Sequence, residues 1–246
     1  LDTASSGHLG AALVRMLQNR GYEVVGLDRL ASRFTNHLGS IANRSHVKRS
    51  MQGVNAVLHT ATLHKPHVVT HSMQDFIDTN IVGTLNLLEE AVAVGVAAFV
   101  FTSTTSVFGG ALMPPAGAPA VWVTEDLRPV PKNIYGVTKT AAEDLCELFH
   151  QKYELPCLIL RTSRFFPEED DHKATREAYD DDNVKANEYL YRRVDLEDVA
   201  NAHVRALEKA QSIGFGRYII SATTPFVPDD LLDLRGNAPL VGWRGT

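Results

Sequence analysis

Apolar positions along the chain follow two alternating rhythms. Leu9, Leu13 and Leu17 recur at helical spacing, and Gly21 follows as a stop, so the pattern predicts a helix. Glu23 to Asp28 then reads as a short buried strand that ends in an acid. Val54 to Leu58 predicts the next strand, Phe76 to Val94 a helix, and Ala98 to Thr102 a strand. Tyr135 to Tyr153 predicts a helix, Leu158 to Leu160 a strand, Leu196 to Ala210 a helix, and Tyr218 to Ile220 a last strand. Strands that alternate with helices imply an α/β fold with a doubly wound parallel sheet, a Rossmann fold. Ligands of such sheets gather at the carboxyl ends of the strands. Two stretches break the rhythm. Leu112 to Pro131 carries five prolines and reads as a surface loop. Pro167 to Asn183 is dense in acid and reads as a solvated face or a cover over the site.

Bulk properties narrow the classes. The chain has 246 residues, is 44% hydrophobic and carries a net charge of −5. That suits one large α/β domain, or one domain plus a small appendage. The expected division is a dinucleotide-binding domain over 1–165, with substrate-side segments over 166–246 interleaved with the last strand and helix. The acidic balance gives no reason to expect nucleic acid or an acidic membrane as partner, and no apolar run approaches a membrane span. Two cysteines, Cys146 and Cys157, suit a reducing, cytoplasmic setting. The chain opens at Leu1-Asp2 directly before a glycine turn, where a strand is expected, so further residues are expected upstream. The end at Gly242 to Thr246 also reads as a fragment.

Two elements carry chemistry. The first is the turn Thr3-Ala4-Ser5-Ser6-Gly7-His8-Leu9-Gly10. Gly7 and Gly10 let a backbone approach a pyrophosphate at a helix N-terminus. Asp28 ends the next strand, at the distance where a carboxylate accepts the hydroxyls of an adenosine ribose. It would repel a 2′-phosphate, which favours NAD over NADP, although Arg29 beside it is able to serve such a phosphate. Ala4 stands where the first glycine is usual, so crowding is expected there. The second element is Tyr135-Gly-Val-Thr-Lys139. Residues i and i+4 share a helix face about 6 Å apart. An ammonium there stabilises a tyrosinate, which suits proton transfer to or from a substrate hydroxyl.

Taken with Leu58-His59-Thr60-Ala61, Asn80-Ile-Val-Gly-Thr-Leu-Asn86, Phe101-Thr-Ser-Thr-Thr-Ser-Val-Phe-Gly109 and Arg193 to Ala200, these blocks resemble the extended short-chain dehydrogenase/reductases, specifically the NAD-dependent epimerase/dehydratase family. The resemblance runs from Thr3 to about Ile220. It implies Thr104, Tyr135 and Lys139 as the catalytic set. Thr104 would hydrogen-bond the reacting oxygen, Tyr135 would be the acid/base, and Lys139 would tune it and hold the nicotinamide ribose. It implies a cofactor site from Ala4, Gly7, His8, Leu9, Gly10, Asp28, Arg29, Ser40, Ile41, Thr60, Ala61, Asn80 and Thr102, together with Tyr135 and Lys139. Thr105-Ser106 replaces the Asp-Glu pair of the dehydratases, which argues against dehydration. Arg164 replaces the asparagine that usually faces a sugar nucleotide, and the Phe-Pro-Glu run after it is similar to the uronate dehydrogenases. His64, Thr105 and Arg164 are therefore the candidate substrate residues.

The expected function is a UDP-glucose 4-epimerase-like enzyme acting on a sugar or nucleotide sugar. A sugar or uronate dehydrogenase is the alternative, and a non-catalytic NAD(H)-binding regulator is the alternative of another class. The family also implies a homodimer packed through the helices at 76–94 and 135–153, whose apolar residues exceed one face. The histidines at 59, 64, 67 and 71 are clustered, but no third ligand of fixed spacing joins them and no metal is expected.

Overall fold

The computed structural model describes residues 1–166 and 193–236. The acidic stretch that begins at Pro167 and the segment after residue 236 lie outside the described residues. Strands β1 (Asp2–Thr3), β2 (Gly26–Asp28), β3 (His37–Leu38), β4 (Ala56–His59), β5 (Ala98–Thr104), β6 (Cys157–Thr162) and β9 (Phe215–Ile220) form one sheet in the order β3-β2-β1-β4-β5-β6-β9. Every pairing in it is parallel. The strand order reverses between β1 and β4, and there a crevice opens at the carboxyl ends. A separate pair, β7 (Arg164–Phe166) and β8 (Arg193–Asp195), is also parallel.

Side chains of a strand alternate between faces, and the two core layers follow that alternation. On one face α1 (His8–Asn19) and α6 (Leu196–Ile213) bury Leu9, Leu13, Leu17, Val199 and Val204 against Ala98, Val100, Leu158 and Leu160. On the other, α2 (Arg44–Ser50), α4 (Gly83–Val94) and α5 (Ile134–Tyr153) bury Val47, Leu87, Leu88, Ala142 and Phe149 against Phe99, Phe101 and Ile159. A short α7 (Leu231–Gly236) closes the described chain.

Several boundaries differ from the sequence reading. The strand expected over 23–28 is ordered as sheet only from Gly26, which pairs in register with Asp2 of β1. The helix expected from Phe76 begins at α3 (Met73–Phe76), capped by Ser72, passes through a π-helical turn at Ile77–Val82 and continues as α4. The helical surplus expected on the 76–94 and 135–153 helices is smaller than its sequence suggests. Leu87, Leu88 and Phe149 point into the core, whereas Val82, Val94, Val137, Leu148 and Tyr153 are exposed.

Candidate active site

The nucleotide end is built from backbone proximity. Ala4 follows β1 in the left-handed region, with φ of 61°, a conformation that costs an L-residue roughly 1–2 kcal/mol. Its carbonyl accepts the Gly7 N–H at 2.8 Å, which closes the turn into α1. A Cβ on Gly10 would lie 2.1 Å from that carbonyl, so only glycine lets the helix start this close to the strand. The first turn of α1 holds no acidic residue, and no side chain caps it. Its N–H groups and dipole therefore favour an anion.

Asp28 is nearly buried at the end of β2. Its Oδ2 accepts the Ser6 N–H at 2.9 Å and the Ser6 hydroxyl at 2.6 Å, and its Oδ1 accepts the Leu30 N–H at 2.9 Å. Neutral donors thus fix its orientation and leave lone pairs without a described donor. Asp28, Arg29, Ser40, Ile41 and Ala61 line one cleft together with Ala4. Asn86 holds the 40–42 loop by donating to the carbonyls of Ile41 and Ala42 at 3.0 and 3.2 Å.

A buried hydroxyl links β1 to β4. Thr3 Oγ1 accepts the N–H groups of Thr60 and Ala61, each at 3.0 Å. Its own proton is then committed to His59 Nδ1 at 3.0 Å. His59 Nε2–H consequently donates to Thr84 Oγ1 at 2.9 Å, which donates to the Asn80 carbonyl at 2.7 Å. Burial, and next the nearby Lys139 charge, hold His59 well below its usual pKa, so it stays neutral. Asn80 sits in the π-helical turn with every side-chain bond used. Its Oδ1 accepts the Leu63 N–H and the Thr62 hydroxyl at 2.8 and 3.0 Å, and its Nδ2 donates to the Leu63 carbonyl and Thr138 Oγ1 at 2.9 and 3.0 Å. It ties the loop after β4 to α5.

The chemical end forms where β5 meets α5. Asn133 caps α5 by accepting the Gly136 N–H at 3.0 Å. Tyr135 is buried against Leu63 and Phe76. One turn on, Lys139 is 2% exposed, donates to the Thr102 carbonyl at 2.5 Å and lies 4.1 Å above the Phe101 ring. Burial pulls its pKa down to about 7, with Glu143 opposing. Thr104 ends β5. Its Oγ1 accepts the Ser106 N–H at 3.1 Å, which leaves its proton for another oxygen. The 105–107 turn packs on α5. The Thr102 hydroxyl faces the opposite layer, 2.7 Å from His203 Nε2, so Thr102 contributes its carbonyl to this end.

The remaining candidates lie farther out. His64 is exposed at the start of a 3-10 turn, with its ring 4.4 Å from that of His67. Among the described residues no group of three His, Cys, Asp or Glu side chains is placed to hold a metal. Arg164 pairs in register with Arg193 across β7 and β8. Sequence reasoning passed over Ser6, Asn86 and Glu143. Glu143 had a signal, since it continues the four-residue spacing of Tyr135 and Lys139 on α5.

Comparison with known proteins identifies the family. The model of the NAD dependent epimerase/dehydratase family matches residues 5–220. A UDP-glucose 4-epimerase of Rhizobium leguminosarum bv. trifolii is 29% identical over 170 residues, which are 65% of this chain and 50% of that protein. The chain spans 39%, 50% and 33% of the first three curated relatives it matches. The crystal structure of a Thermus thermophilus UDP-glucose 4-epimerase complexed with NAD superposes with a TM-score of 0.72 at 25% identity, covering 96% of this chain and 82% of that one. A UDP-glucuronic acid 4-epimerase from Bacillus cereus gives a TM-score of 0.71 at 25% identity, covering 90% and 77%. A crevice at the strand-order reversal, a glycine turn and a buried tyrosine–lysine pair thus meet in one chain, which belongs to the NAD dependent epimerase/dehydratase family.

Proposed function

We propose that the chain binds NAD in the cleft at β1, β2 and β4 and acts as a UDP-glucose 4-epimerase-like enzyme on a sugar or nucleotide-sugar hydroxyl. The residues present fit that cofactor. Gly10 opens the cradle that a Cβ would fill, the bare first turn of α1 suits a pyrophosphate, and Asp28, held by Ser6 and Leu30, would accept ribose hydroxyls. NAD supplies the hydride acceptor. The observation that carries the reading is the buried Tyr135 and Lys139 on α5 beside the end of β5. Tyr135 takes the proton of the substrate hydroxyl and returns it. The Lys139 ammonium stabilises the tyrosinate, and Thr104 donates its free proton to the reacting oxygen.

A second reading, a dehydrogenase of a sugar acid, draws support from Arg164 and Arg193. They pair in register on parallel strands, and an arginine fork at this position is the type of group that recognises a carboxylate or phosphate. The third, a non-catalytic regulator, has no use for an acid/base residue. A homodimer through the helices at 76–94 and 135–153, which expose Val82, Val94, Val137 and Leu148 among others, is part of the proposal, as are a cytoplasmic setting and the division at 165/166. A panel of UDP-sugars and uronic acids, followed by NADH absorbance and by NMR of the sugar ring, tests it. An epimerase interconverts sugars with no net NADH, whereas a dehydrogenase accumulates NADH. If no sugar turns over while NAD binds, the regulator reading replaces this one.

A further inference from the structure

Beneath the tyrosine–lysine pair lies a buried charge cluster that the chemistry above does not use. Glu143 is 1% exposed, one helical turn beyond Lys139. Its Oε1 accepts the Ser103 hydroxyl at 2.5 Å and Arg161 Nε at 3.1 Å. Its Oε2 accepts Arg161 Nη2 at 2.7 Å and lies 3.5 Å from Arg217 Nε. Ser103 precedes Thr104 on β5, Arg161 belongs to β6 and Arg217 to β9, so this one carboxylate joins α5 to three strands. Arg161 also donates to the Glu125 carbonyl at 3.0 Å, while the Glu125 carboxylate accepts the Ile219 N–H at 3.0 Å. The proline-rich loop before α5 is pinned to the same cluster.

We propose that Glu143 is a positioning residue of the reaction: clamped by Arg161 and Ser103, it fixes α5 against the sheet and sets a negative charge one helical turn from the Lys139 amine, beside Tyr135. This inference rests on the catalytic reading of Tyr135 and Lys139. The physical reason is the burial of Lys139. Neutral groups surround it, namely the Thr102 carbonyl and Phe101 ring of β5 and the neutral His59 of β4. Burial therefore favours the uncharged amine, which has no power to stabilise a tyrosinate. Glu143 is the anion on the same helix face that opposes this, with the Cys146 thiol next on α5. Burial also pushes the Cys146 thiol well above its usual pKa, with Cys157 beside it adding to the effect, so it stays uncharged. Glu143 in turn is balanced by Arg161 and Arg217, and Arg217 is shared with Asp144 and Glu147 on α5. Two arginines against one buried carboxylate make the setting adjustable in both directions.

Opposite shifts are the signature. The side-chain NMR titration of Lys139 is followed in the cofactor-free protein, assigned by its loss in Lys139→Met. Glu143→Gln removes the anion and moves the Lys139 midpoint down from about 7. Arg217→Gln, at a partly exposed position, removes a competing cation and moves it up. Glu143→Asp restores the charge and brings the midpoint back toward wild type. A one-unit fall takes the charged fraction at pH 7 from about half to about a tenth. Turnover in Glu143→Gln then falls about fivefold at that pH, with the sugar KM held within about twofold. If Glu143→Gln does not fold, the rise in Arg217→Gln decides alone. A midpoint that stays put in Arg217→Gln, or moves the same way in both variants, overturns the proposal. Tyr135→Phe separates the two levels. Full turnover in that variant removes the catalytic reading, while the titration still reports whether Glu143 sets the charge on Lys139.

Discussion

The two ends of the sheet crevice handle charge in different ways. At the nucleotide end the fixed anion is Asp28, and neutral donors hold it: the Ser6 N–H and hydroxyl and the Leu30 N–H. At the chemical end the fixed anion is Glu143, held by guanidiniums in the core. Asp28 borders the cleft and keeps lone pairs for a ligand. Glu143 is sealed and offers nothing to a ligand; its field acts on Lys139. In the proposed reading one carboxylate recognises and the other tunes. A recognising group tolerates neutral partners because the ligand completes its bonds. A tuning group has to be fully bonded already, since a half-paired buried charge is costly.

The comparison breaks first at Gly10. Gly10→Val pushes a side chain into the Ala4 carbonyl, which would lie 2.1 Å from the new Cβ. We expect NAD affinity to fall at least about tenfold and the melting temperature to drop, as overpacking costs roughly 1–3 kcal/mol; calorimetric titration and thermal melts read both. Affinity equal to wild type would mean the pyrophosphate lies elsewhere. Asp28→Ala comes next. It should narrow the preference for NAD over NADP by about tenfold, in line with the loss of charged hydrogen bonds, while leaving turnover at saturating NAD nearly unchanged. Comparable dissociation constants for the two cofactors in the wild type would defeat the premise.

Lys139→Met sharpens the chemical end. The folded pKa of about 7 lies below the unfolded value near 10.5. Between those values the unfolded chain holds the proton and the folded one does not, so stability rises with pH across that window. Below pH 7 the folded state carries the full cost of a buried ammonium. The methionine variant should therefore melt higher than wild type at pH 6, and the gap should shrink toward pH 10. A pH-independent gap would place Lys139 in water. The smallest effect belongs to Ala4→Gly. Relief of the left-handed alanine at φ 61° should raise the melting temperature by a few degrees, and NAD should bind as well or better.

The glycine turn, Asp28 and the tyrosine–lysine spacing were legible because each is a local pattern whose chemistry depends on spacing alone. The long helices and central strands were legible for the same reason. What escaped had other causes. β3 is two residues long and α2 buries only Val47 and Ser50, so neither carries a usable apolar period. The apolar residues of the 76–94 helix exceed one face in sequence, yet Leu87 and Leu88 are buried and Leu85 packs against the same core, because α4 packs against the sheet and α2 together. Glu143 and Arg161 escaped because charged residues read as solvated until a fold pairs them. Asn86 looked like part of a family block, and only the structure shows it holding the carbonyls of the 40–42 loop.

The central claim is that Tyr135 moves the proton. Wild type and Tyr135→Phe, each with its NAD affinity measured by fluorescence, should be run on the sugar that the panel identifies. The account predicts NAD affinity within about twofold and turnover lower by about 10²–10⁴ in the phenylalanine variant. Full turnover in that variant would contradict it.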